Sequence, residues 1–176
     1  MTRIETSGDM ERLGAALARV LRRGDVLVLN GPLGAGKTTL VRGLGEALGV
    51  RGAVASPTFV IARTHPSLGD GPALIHVDAY RLASALELDD LDLDLDSAVT
   101  VIEWGREVVG AITDEWLELE LERPRAGQTD PAPGASNDPD AAVEEPREVA
   151  VRAVGDRFAG LSVEALLTDG GAASPA

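Results

Sequence analysis

At 176 residues the chain has room for one ordinary domain that buries roughly 70% of its unfolded surface, and none for a second of full size. Its 44% apolar and 26% charged residues are globular composition, and the absence of cysteine excludes disulfides, zinc-thiolate sites and thiol nucleophiles. Sixteen cations against 29 anions leave a net charge of -13, which opposes a broad grip on a phosphate backbone and leaves any nucleic acid to a partner. The amino terminus carries acids early and lacks an apolar signal core, and no apolar run approaches the roughly eighteen residues of a membrane span. These features suit a cytoplasmic chain.

Residues 7–22 place Met10, Leu13, Leu17, Val20 and Leu21 at helical spacing behind a Thr6/Ser7 cap signal, with space for a short strand ahead. Asp25 to Asn30 is a short apolar run between Gly24 and Gly31, the pattern of a strand buried on both faces of a parallel sheet. A helix then starts near Gly36, turns Leu40, Val41, Leu44 and Leu48 inward, and stops at Gly49. Strands are expected over 54–63, broken early by Pro57, and over 73–78 and 99–103. Residues 83–90 read as a helix, while 91–96 alternate Leu with Asp and fit an edge strand or an acidic loop equally.

Trp116 to Leu121 and Glu148 to Val154 read as an antiparallel pair. Between them, 124–146 holds five of the ten prolines and is expected to be a disordered insertion in a hairpin. A last helix over 156–167 and a loose tail from 168 close the chain. Residues 1–123 and 147–167 thus form one domain.

Gly31-Pro32-Leu33-Gly34-Ala35-Gly36-Lys37-Thr38 satisfies G-x-x-x-x-G-K-[ST] after a buried strand and before a helix, the context a phosphate-binding P-loop requires. Glycines let backbone N–H groups from Leu33 to Lys37 wrap phosphate oxygens, and the helix N-terminus adds its positive end. Lys37 then serves the β- and γ-phosphates, Thr38 a magnesium ion, and Thr39 an α-phosphate. Of sixteen cations, fifteen are Arg and only Lys37 is Lys, a point cation kept where a flexible one is wanted. The fold class is therefore α/β and P-loop NTPase-like: a mostly parallel sheet with helices on both faces and antiparallel strands at the edges.

Ligands of such a sheet sit beyond the carboxyl ends of its strands. Asp78 ends one expected strand and Glu103 another, and either fits magnesium binding or orientation of an attacking water. Asp78 fits a strand-to-helix cap equally well. His76 shares the face of Asp78 and suits a hydrogen-bonded core position as much as a functional one. Thr58, in Ser56-Pro57-Thr58-Phe59, fits a γ-phosphate sensor or plain turn chemistry. Phe59, Tyr80 and Trp104 are three of five aromatics and lie within or beside these motifs, as core or as docking surface.

With its one lysine in the P-loop, the chain has no Asn-Lys-x-Asp guanine motif. A small-molecule P-loop kinase stays open, with Arg106, Arg123 and Arg125 as the nearest lid arginines, and so does a nucleotide-controlled binding module without turnover. The ordered set GPLGAGKTT, SPTF, HVDAYR and VIEW closely resembles the TsaE family of bacterial tRNA threonylcarbamoyladenosine (t6A) biosynthesis, over about residues 2–123 and again from Arg147. The resemblance implies an ATPase that uses ATP and Mg²⁺ and couples hydrolysis to TsaB and TsaD, touching tRNA only through that complex. It implies magnesium binding by Thr38 and Glu103, an essential Asp78, a switch-like Thr58, Trp104 beside the nucleotide, and an approach of Thr6 and Arg147 to adenine. Pro32 departs from the Asp of many members, at a position whose side chain the cradle does not use.

Overall fold

The computed structural model describes residues 1–82, 84, 87–88, 91, 93–123 and 145–168. Within these, seven strands form one sheet: β1 (Thr2–Ile4), β2 (Val26–Asn30), β3 (Ala62–His65), β4 (Ala73–Asp78), β5 (Ala98–Glu103), β6 (Trp116–Glu122) and β7 (Arg147–Val154). Their spatial order is β1-β7-β6-β2-β5-β4-β3. The central β6, β2, β5 and β4 run parallel, whereas β1 and β7 at one margin and β3 at the other pair antiparallel. The α-helices α1 (Ser7–Leu17), α2 (Lys37–Leu48) and α3 (Val163–Thr168) accompany them. Among the described residues, no helix is long and apolar enough to cross a membrane.

Every residue of β2, β5 and all but the first of β4 is buried, as central parallel strands covered on both faces must be. Leu27, Leu29, Leu74, Val99 and Val101 face α1, α2 and α3. Val28, Ile75, Val77 and Ile102 face the other way, onto Leu88, Val108 and Val109. Among the described residues, the second face is covered by helical Leu88 and by the 3-10 turns Gly105–Glu107 and Val109–Ala111, where Trp104 turns left-handed after β5 and two glycines interrupt the crossing to β6.

α1 begins at a capping box in which Thr6 accepts from Asp9 N while Asp9 accepts from Thr6 N. It is one turn shorter than expected, since residues 18–20 leave the helix in a turn before β2. α1 and α2 meet through glycine. A Cβ on Gly14 would lie 2.1 Å from the Leu40 carbonyl oxygen, and one on Gly43 would lie 2.1 Å from that of Glu11. Near the start of β2, Asp25 is held by Arg157 through Nε at 3.2 Å and Nη2 at 2.8 Å, which ties the C-terminal segment to the sheet.

Two expectations change, and one open alternative is narrowed. The strand expected over 54–63 is confined to Ala62–His65, because Pro57 opens a turn closed by Val60 N to Pro57 O at 2.8 Å. The last helix starts at Val163 rather than 156, behind a turn through left-handed Gly160 and a Ser162 hydroxyl that accepts from Ala165 N. Leu95–Ser97 is a 3-10 turn, so the alternating 91–96 run is no edge strand where it is described. The helix expected over 83–90 falls mostly outside the described residues, as do residues 124–144 of the insertion expected over 124–146 and residues 169–176 of the tail expected from 168.

Gly14→Ala and Gly43→Ala test the helix contact. Each should lower stability in urea denaturation by about 1–3 kcal/mol, although the same change in an open helix stabilises by about 1 kcal/mol. An unchanged or raised midpoint for both would contradict the close approach.

Candidate functional site

β2 delivers the chain rigidly into the glycine loop. Gly31 leaves the strand at φ 137°, and a Cβ there would stand 2.1 Å from the Leu121 carbonyl oxygen of β6, so both conformation and space require glycine. Ala35 N bonds Pro32 O at 3.1 Å to close the loop. Gly36, left-handed, caps α2 without a side-chain hydrogen bond, which leaves the first-turn N–H groups to an anion.

Lys37 is the first residue of α2 and only 5% exposed. Its ammonium donates to Gly31 O at 2.8 Å and Pro32 O at 3.1 Å, and lies 4.0 Å from the centre of the Trp104 ring. Burial lowers its pKa, and the charges of Glu103, Asp78 and Glu120 oppose that shift. Trp104 reaches this place through a left-handed backbone, φ 62°, anchored by its N–H on Leu29 O at 2.8 Å. Tyr80 packs on it with ring centres 5.6 Å apart.

Asp78 and Glu103 are register partners at the tips of β4 and β5, each 4% exposed. Thr38 Oγ1 donates to Glu103 Oε1 at 3.2 Å, and His76 Nε2 stands 2.8 Å from the same oxygen. Asp78 accepts from Thr58 Oγ1 at 2.6 Å on one oxygen and from Tyr80 N at 3.1 Å on the other. Ser56 Oγ lies 2.7 Å from Thr58 Oγ1, extending this chain of hydroxyls into the loop before β3. Ile61, at φ 66°, ends that loop, and its carbonyl accepts from Asp78 N at 2.8 Å. Among the described residues, Ile61 and Trp104 are the non-glycine positions with positive φ, and both adjoin the same site.

These groups line a cleft of about 510 Å³ that runs from Leu33 through Thr39 past Ser56, Thr58, Asp78, Tyr80, Glu103 and Trp104. A second hollow of about 180 Å³ shares Gly34, Gly36 and Thr39 with it and is lined further by Thr6, Met10, Glu145 and Arg147. The residues expected around phosphates thus surround the first hollow. Thr6 and Arg147 meet at the second, where Arg147 Nη2 donates to Gly34 O at 3.3 Å. Gly31 contributes its carbonyl rather than lining the cleft.

Magnesium prefers octahedral oxygen ligands at about 2.1 Å, so two neighbouring ligands stand about 3.0 Å apart. The 3.2 Å between Thr38 Oγ1 and Glu103 Oε1 suits such a pair. Among the described residues no three His, Asp or Glu side chains are grouped to hold a metal, so a cation here would draw its remaining oxygens from phosphate and water.

Of the arginines nearest a kinase lid, Arg106 is occupied by Glu118 and Glu120. Glu118 is buried and also accepts from Asn30 Nδ2 at 2.8 Å. Arg123 pairs with Glu145 at 3.3 Å, and Arg125 lies outside the described residues. Sequence reasoning missed Ser56, although it shares the turn of Thr58, and Glu120, whose charge reaches Lys37 from β6. It also missed Glu145, which carries no local motif and sits at the end of the proline-rich segment.

The family model described as threonylcarbamoyl adenosine biosynthesis protein TsaE matches residues 4–129. The chain belongs to the TsaE family. The tRNA threonylcarbamoyladenosine biosynthesis protein TsaE of Streptomyces coelicolor is 52% identical over 160 residues, covering 89% of this chain and 99% of that one. The protein of the same name from Bacillus subtilis is 34% identical over 158 residues, covering 88% and 84%. The crystal structure of Bacillus subtilis YdiB superposes with a TM-score of 0.65 at 28% identity, covering 89% of this chain and 86% of that one. The family expected from the four ordered motifs is thus the one found, and it places the chain in tRNA threonylcarbamoyladenosine biosynthesis.

An ammonium lying on an indole face should report its own displacement. In a Trp116→Phe variant, leaving Trp104 as the one tryptophan, adding ADP with magnesium should shift or quench emission. A silent titration, in a sample whose binding is confirmed by calorimetry, would mean that the Lys37–Trp104 contact survives ligand entry.

Proposed function

We propose that the chain is a magnesium-dependent ATPase that couples ATP binding and hydrolysis to the TsaB–TsaD assembly during t6A formation. The observation that carries this reading is the convergence of three elements. The Lys37 ammonium at the start of α2 lies beside a Thr38 hydroxyl and Glu103 carboxylate in contact, and a buried Asp78 stands on the next strand tip.

In this reading the glycine loop binds the β- and γ-phosphates, with Lys37 exchanging its two loop carbonyls for phosphate oxygens. Thr38 and Glu103 would hold magnesium, which when bound neutralises charge on those oxygens. The base and ribose extend into the second hollow between Thr6 and Arg147. Hydrolysis joins a water oxygen to the γ-phosphorus and breaks the bond to the β–γ bridging oxygen; ADP leaves with that electron pair, and the proton lost by the water passes to a phosphate oxygen or to solvent.

Asp78 accepts from Thr58 Oγ1 on one oxygen and from Tyr80 N on the other, so in this reading it holds the Ser56–Thr58 loop over the γ-phosphate and keeps a lone pair on each oxygen for orienting the attacking water. The acidic surface accords with tRNA being held by the partners. Such a component belongs in the cytoplasm.

Reconstitution with TsaB, TsaD, ATP, threonylcarbamoyl-adenylate and unmodified tRNA tests the coupling: multiple rounds of modification should depend on this chain and on hydrolysable ATP. Lys37→Ala should abolish measurable ATP binding. Asp78→Asn should keep nucleotide affinity within a few-fold while lowering kcat about 100-fold, the scale of a misplaced positioning group. Full turnover without the chain, or with Lys37→Ala, would remove the proposal.

A further inference from the structure

His76 is completely buried on β4, two residues before Asp78, on the sheet face that carries Leu74 and meets Val101 and Glu103 of β5. Its Nε2 lies 2.8 Å from Glu103 Oε1, and a carboxylate oxygen can only accept, so Nε2 carries the hydrogen. The other ring nitrogen, Nδ1, is buried with no hydrogen-bond partner. A leucine would fill a neutral core position without leaving a polar atom bare, so packing alone is a poor reason for a histidine here.

Oε1 of Glu103 also accepts from Thr38, and neither contact uses Oε2. A glutamate at a strand tip has three rotatable side-chain bonds, and without a fixed donor its carboxylate can swing toward Lys37 or solvent. His76, held by the sheet, sets its plane.

Resting on the magnesium-ATPase reading, we infer that His76 is the positioning residue for Glu103: its Nε2–H holds the carboxylate beside Thr38 in the orientation that receives a divalent cation. Hydrogen-bond partners behind metal ligands change metal affinity about 10- to 100-fold when removed. His65, the other histidine, has the opposite arrangement. Its Nδ1 faces the Arg51 carbonyl oxygen at 3.3 Å, so Nδ1 is the donor, and its Nε2 is buried without a partner. The two histidines are therefore fixed in opposite tautomers.

Two measurements on the full chain test this. In ¹⁵N-histidine-labelled protein at pH 8, with His65→Gln to assign the signals, His76 should show the Nε2–H tautomer; an Nδ1–H tautomer overturns the inference. Manganese binding in the presence of ADP, followed by electron paramagnetic resonance, supplies the second. His76→Leu should raise the half-saturating manganese concentration about 10- to 100-fold while metal-free ADP affinity stays within about two-fold. His76→Gln, whose amide nitrogen takes the place of Nε2, should return it to within about three-fold of the unaltered protein. Equal manganese affinity in the leucine variant and the unaltered protein overturns the positioning role and leaves the ATPase reading standing. Absence of any ADP-dependent manganese binding in the unaltered protein overturns both.

Discussion

A buried ammonium can stay charged only among groups that repay its lost hydration, and the arrangement around Lys37 follows from that requirement. Two loop carbonyls and an indole face hold the cation, and carboxylates on β4, β5 and β6 oppose the effect of burial on it. The requirement runs both ways. Asp78 and Glu103, adjacent at strand tips and almost wholly enclosed, need a positive neighbour, and α2 starts where it can provide one. The parallel sheet brings these groups together, since its strands end at one edge and the polar residue closing each run is delivered there.

The same economy explains the backbone around the cleft. Trp104 and Ile61 adopt a conformation that branched and bulky residues ordinarily avoid, and each is secured by a hydrogen bond to a central strand. Trp104 turns its ring over Lys37 as a result. Ile61 links the Ser56–Thr58 loop to Asp78 through its carbonyl, so the hydroxyl chain and the backbone hold that loop at two points.

Much of this was legible in the sequence. The P-loop, the buried strand before it and the glycine stop of α2 are local patterns with one physical reading each, the acids closing β4 and β5 fall at expected strand tips with their roles open, and the structure keeps all of them in place. Legibility failed where tertiary context decides. Residues 54–63 carry enough branched and apolar side chains to suggest a strand interrupted early at Pro57, yet the turn at Pro57 and the hairpin with β4 restrict pairing to four residues, Ala62–His65. Gly160 divides what periodicity reads as one helix. His76 is recognisable as more than a core residue only once β4 and β5 are in register, because its partner lies 27 residues away. Glu145 and Glu120 likewise join the site through strand order, which no window of sequence contains.

The contact between α1 and α2 has a further meaning. Helices that touch backbone to backbone, with Gly14 and Gly43 at the crossing, have no side chains between them to yield. α1 is capped by Thr6 beside one hollow, and α2 starts at Lys37 beside the other. The pair acts as a caliper with locked jaws. The separation of the two hollows is thereby set by the helix crossing and not by the rotamers of intervening side chains.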